Sequence, residues 1–144
     1  MKNIIRVGLA ILMILSLAAP AGTTDIAPDA KTERLITPQY AHIMFMNSRL
    51  TISSLGEATC VGVSALYNGS HTVELIVELQ RQNGSVWTPI KSWTTSGPGV
   101  PGVEIERSHY IVRGIYRACT TAKVRDAAGN LLENVSVYSV VVTY

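Results

Sequence analysis

The segment TVELIVELQRQNGSVWTPIKSWTT, residues 72–95, decides the fold class of this chain. Its first half alternates, with Val73, Leu75, Val77 and Leu79 on one face and Glu74, Glu78 and Gln80 on the other. A period of two marks a strand with one wet side. Asn83-Gly84 tolerates the positive φ of a tight reversal, so Val86 to Thr94 is expected to return as a second strand.

Working outward, the same texture continues on both sides. Leu50–Leu55 and Ala58–Tyr67 read as strands separated near Gly56, and Asn68-Gly69-Ser70 is a turn. Ser96 to Gly102 is rich in Gly and Pro and is expected to be a loop outside any sheet. Val103–Arg107 is a short strand. Tyr110–Val124 reads as one long strand, with Tyr110, Val112, Tyr116, Ala118, Ala122 and Val124 in one phase and Arg113, Arg117, Thr121 and Lys123 in the other. Asp126 to Asn130 turns the chain into a last strand, Leu131–Thr143. Helix-length amphipathic stretches are absent, so the expectation is an all-β fold, a single antiparallel β-sandwich of seven or eight strands over residues 39–144.

The N-terminus has a different character. Lys2 and Arg6 precede thirteen uncharged residues, Val7–Ala19, and Ala19-Pro20-Ala21 places small residues where a signal peptidase reads. Residues 1–21 are therefore expected to be a helical signal peptide cleaved after Ala21. The apolar run is too short for the roughly 20 residues that span a bilayer. Residues 22–38, polar and holding two prolines, read as a flexible leader. Near the cleavage point there is no Cys to accept a lipid, so a secreted or envelope-associated protein without a stable membrane anchor is expected. Lys2 and Arg6 leave with the signal, so ten cations face ten acidic residues in what remains. A neutral domain without a basic cluster lacks the electrostatic footprint of a nucleic-acid binder.

Gly114-Ile115-Tyr116, followed by Val124-Arg125-Asp126-Ala127-Ala128-Gly129-Asn130, resembles the end of bacterial immunoglobulin-like and fibronectin type III-like modules. That resemblance implies an immunoglobulin-like sandwich in which Tyr116 sits at a corner and returns its hydroxyl to nearby backbone. A wider pattern is similar to a group of small exported proteins of unknown function from Gram-positive bacteria. Its marks here are Leu79-Gln80, Asn83-Gly84-Ser85, Trp87, Lys91-Ser92-Trp93 and Tyr116-Arg117. The group has no established activity, so the resemblance implies compartment and fold and assigns no site.

Cys60 and Cys119 are the two cysteines, and export leads to a compartment that permits disulfides. A structural Cys60–Cys119 bond is expected. An immunoglobulin-type Cys follows the corner Tyr by two residues, whereas Cys119 follows Tyr116 by three. A bond thus requires a bulge that corrects the phase or a meeting on an outer face; otherwise both thiols stay reduced.

Chemistry-bearing motifs are sparse. His42, His71 and His109 are far apart with no metal-ligand spacing, and no nucleophile elbow, P-loop or dinucleotide fingerprint occurs, so no metal, cofactor or catalytic residue is expected. Glu104 and Glu106 share a strand face, as do Glu74 and Glu78, in the manner of solvated sheet faces. Sequons at Asn68, Asn83 and Asn134 include two Asn-Gly turns whose Asn is explained by backbone geometry. The remaining candidate is an aromatic pair. Trp87 and Trp93 are six apart, so alternation places both on one face, either as a ligand platform or in the core. The expected function is a noncatalytic module that binds an extracellular protein or glycan through that face or its loops. A secreted carbohydrate-active enzyme using Glu104, Glu106 or His109 is the alternative, and a purely structural envelope role is a third.

Overall fold

The computed structural model describes residues 39–144. The expected signal peptide and leader lie outside the described residues. Eight strands follow in order: β1 Ile43–Ile52, β2 Glu57–Leu66, β3 Thr72–Asn83, β4 Val86–Pro98, β5 Val103–Tyr110, β6 Ile115–Arg125, β7 Leu131–Tyr138 and β8 Val142–Thr143. All pairing is antiparallel. One sheet has the order β1-β2-β5; the other runs β4-β3-β6-β7, with β8 continuing beside β6. The hairpins β1-β2, β3-β4 and β6-β7 stay within a sheet, while the intervening connections cross between sheets. This is the expected antiparallel sandwich in an immunoglobulin-like order.

Alternation explains the core. Val73, Leu75, Val77 and Leu79 of β3 are fully buried, as are Ala118, Ala122 and Val124 of β6. Facing them, β2 presents Ala58, Cys60, Gly62, Ser64 and Leu66, a row of mostly small residues that lets the sheets approach closely. At Gly62 a Cβ would lie 2.7 Å from Thr120 Oγ1 and would overlap the Val77 methyl. Thr120 Oγ1 donates in turn to Ser48 Oγ at 2.9 Å, a buried hydroxyl pair that satisfies both groups without a water. Tyr116 is 1% exposed and its hydroxyl donates to Val112 O at 2.7 Å, the corner contact that the resemblance implies.

Several boundaries differ from the sequence reading, each for a local reason. The run Tyr110–Val124 is two strands, because the chain leaves the three-stranded sheet after Tyr110 and joins the other at Ile115. Side-chain parity does not survive that change of sheet, so Tyr110 and Val112, read in one phase with Tyr116, are exposed while Tyr116 is buried. Ser96-Gly97-Pro98 is not loop but the end of β4, opposite Glu74, Val73 and Thr72. β4 is an edge strand, and a proline is tolerated where no ladder hydrogen bond is required on the outer side. β1 begins seven residues before Leu50, at Ile43, with a register shift between Ile43 and Phe45 that breaks the alternation.

One carboxylate ties the start of β1 to β7. Glu133 accepts from the backbone N–H groups of Ala41 at 3.0 Å, His42 at 2.9 Å and Ile43 at 3.2 Å. These donors precede or begin an edge strand and would otherwise face solvent, so the charge-assisted contacts link the two sheets along one side.

Candidate functional site

The β3-β4 hairpin positions the two indoles. Asn83 pairs with Val86, leaving Gly84-Ser85 as the turn, and Gly84 takes φ 62°. Further along, Lys91 lies opposite Leu79 and Pro89 opposite Gln80, so Ile90 is an extra residue on β4. Such a bulge reverses parity beyond it. Trp93 consequently lies opposite the buried Val77 and packs on the core, whereas Trp87 lies opposite Gln82 on the outer face. The expected common face for Trp87 and Trp93 is thereby corrected: the simple count of six assumed an unbroken ladder.

On the outer face Trp87 joins a cluster that four strands assemble. The Arg117 guanidinium carbon sits 4.4 Å from the centroid of the Trp87 ring and 4.0 Å from that of Tyr138. Arg117 Nε donates to Gln80 Oε1 at 2.8 Å, and Gln80 Nε2 donates to Glu78 Oε2 at 2.8 Å. β4 thus supplies Trp87, β3 Gln80 and Glu78, β6 Arg117 and β7 Tyr138. The cation is held between two π-faces and oriented by an amide that a carboxylate fixes in turn. Cross-strand contacts continue the face, with Thr121 and Ser136 hydroxyls 2.7 Å apart and Lys123 Nζ 3.3 Å from Glu74 Oε1.

Cys119 lies in this outer row beside Arg117 and Thr121, while Cys60 lies in the inner row of β2. The expected disulfide is overturned, since both thiols are free and buried. Strand parity gives the reason: Cys119 is on the outer side of the five-stranded sheet, and Cys60 is on its inner side, in the core of the sandwich. Burial pushes the Cys60 thiol up to about 12. Burial also raises Cys119, with Thr121 hydrogen bonding opposing it and the Glu78 charge reinforcing it. Neither group is activated as a thiolate.

The other candidates stand apart. Glu104 and Glu106 are exposed on the outer face of the three-stranded sheet, opposite Val63 and Val61. Although 29 residues separate them, His42 and His71 meet with ring centroids 5.4 Å apart and planes at 63°. Asn68 Oδ1 accepts from Ser70 N and Oγ, so the amide turns its Nδ2 to His71 Nε2 at 3.3 Å. Among the described residues no three His, Cys, Asp or Glu side chains gather into a metal-binding group. A cleft of about 730 Å³ lies beside β1, and among the described residues it is lined by apolar and aromatic side chains, Tyr40, Met44, Phe45, Met46 and Tyr67 among them.

Arg117 entered the sequence reading as a mark of the resemblance and not as a site residue, and Tyr138 did not enter it. Their signal was available only in part, as an Arg in the outward phase of β6 and a Tyr at the end of β7. What joins them is register between strands distant in the chain. The chain matches no known family profile and no curated protein.

Proposed function

We propose that this chain is an exported, noncatalytic binding module that engages an extracellular or envelope protein through the Trp87–Arg117–Tyr138 face. The observation that carries this reading is the preorganised stack itself. Trp, Arg and Tyr are the residue types that dominate interface energies, and here they stack on one another across β4, β6 and β7, with Tyr138 54% exposed. A protein partner is favoured over a glycan because the guanidinium already covers the ring face on which a sugar would stack. Export rests on the charged start, the apolar run Val7–Ala19 and the Ala19-Pro20-Ala21 site.

Membership in the group of small exported Gram-positive proteins is part of the same proposal. Its support is that Gln80, Trp87 and Arg117, three of the residues carrying that resemblance, converge in one stack although they are distributed over three strands.

The deciding experiment measures saturable binding of the labelled chain to intact producer cells and to isolated envelope material. Trp87→Ala and Tyr138→Ala should each weaken binding at least about tenfold, with the β-sheet spectrum unchanged. Protease treatment of the cells should abolish it; survival of binding after proteolysis would point to a glycan instead. Absence of saturable binding, or full affinity in both variants, overturns the module reading. Edman sequencing of the released protein should begin at Gly22, and full-length protein retaining Met1 in the cytosol would refute export.

A further inference from the structure

We propose that β7 pairs with β7 of a second copy of this chain, antiparallel about a two-fold axis at Ser136, joining two five-stranded sheets into one. The argument starts from backbone phase. Ser139 N donates to Ala118 O at 2.9 Å, and the β6-β7 register holds without a shift from Cys119 to Val124. In an antiparallel ladder bonded and non-bonded pairs alternate. Val137 and Val135 therefore direct their N–H and C=O toward β6, while Asn134, Ser136 and Tyr138 direct theirs away from the sheet. Those three positions are symmetric about Ser136. Placed against itself, the strand sets Ser136 opposite Ser136 and Asn134 opposite Tyr138 twice, closing three bonded pairs.

The other edges are protected against such pairing. β4 carries Pro89, Lys91 and Pro98 with a bulge, and β5 carries Glu104, Glu106 and Arg107. β1 has a register shift, Arg49 and the Glu133 carboxylate over its first amides. These are the devices that keep sheet edges apart. β7 has none of them from Asn134 onward, where the sequence to Tyr144 contains no Lys, Arg, Asp or Glu. The uncharged stretch Asn134–Tyr138 and its symmetric outward positions suit this strand to serve as its own partner, because self-pairing opposes no charge to a like charge, whereas β5 against β5 would bring carboxylates together. An edge of this length buries less than the roughly 1,200 Å² of a stable interface, so the dimer exchanges readily.

Sedimentation velocity of the full chain from micromolar to millimolar concentration tests this, with Ser136→Pro and Ser136→Lys alongside. Ser136→Pro removes an outward N–H and leaves the β6-β7 backbone hydrogen bonds in place, losing only the Thr121–Ser136 hydroxyl contact, which Ser136→Lys loses as well. Ser136→Lys sets two ammonium groups opposite one another at the axis. The expected result is a monomer–dimer equilibrium weakened at least about tenfold in both variants, with the lysine variant partly restored by salt. If Ser136→Pro perturbs the β-sheet spectrum, the lysine variant alone decides. A monomer at all concentrations, or association equal in the wild type and the lysine variant, overturns the proposal. A chain that stays monomeric but pairs with an added peptide spanning 132–140 also overturns it, since the edge would then take strands without forming the two-fold dimer.

Discussion

Cys60 shows how one buried group sets a response to pH. Its thiol ionises at about 12 in the folded chain, against 9.0 when solvated. A raised value means that the folded state keeps its proton after the unfolded state has lost it. The associated stability is complete below pH 9 and declines as pH rises toward 12, at about 1.4 kcal/mol per unit. Chemical denaturation at stepped alkaline pH should therefore show a loss that Cys60→Ala flattens relative to wild type; parallel slopes would exclude the assignment. Thiol titration should find two reactive groups only after denaturation. Glu133 contributes through charge-assisted contacts to three amides. Glu133→Ala should cost about 2 kcal/mol in urea unfolding, and an unchanged midpoint would show that the contacts do not bind β1. Neither role was legible in the sequence, because Glu133 and its donors are separated by about ninety residues.

At the scale of elements, the β6-β7 turn and the Gly62 contact make separate predictions. Asp126 accepts from the backbone of Ala128 at 2.9 Å and Asn130 at 2.8 Å, and from Asn130 Nδ2 at 2.9 Å. Hydrogen bonding from the Asn130 side chain, then its backbone, lowers the carboxyl below the usual range, opposed by slight desolvation. A depressed value contributes order that is present above the ordinary carboxylate range and is lost as pH falls through the folded value. Protection of the Ala128 and Asn130 amides, taken relative to their intrinsic exchange rates, should fall under acid and should be low at all pH in Asp126→Ala; protection that persists in the variant would refute the cap. Gly62→Val would force a branched side chain against Val77 and Thr120 and should destabilise by about 1–3 kcal/mol, read from thermal unfolding. β3 was legible because one face is wet and the other dry. β4 was legible as a strand, but the facing of its residues was not, since a bulge is a property of the pair and Pro89 alone does not reveal which residue is extra.

For the whole molecule, the opposed placement of the two indoles puts Trp93 on the core and Trp87 on the face that the proposed binding would use, so the proposal predicts separate effects. Trp93→Ala should lower stability by about 2–4 kcal/mol while retaining binding per folded molecule, and Trp87→Ala should do the reverse. Equal effects of both on binding would contradict the two-faced arrangement. The sandwich could be read from alternation and turn residues, since both record where water lies along a strand. The Arg117 stack could not, because Trp87, Gln80 and Tyr138 reach it only through registers that residue pattern leaves free. The clasp at Glu133 has a temporal consequence. Its two halves are 90–92 residues apart. In a chain synthesised from its beginning, β1 can pair with β2 early, but the amides of residues 41–43 wait for their carboxylate until most of the domain has been made.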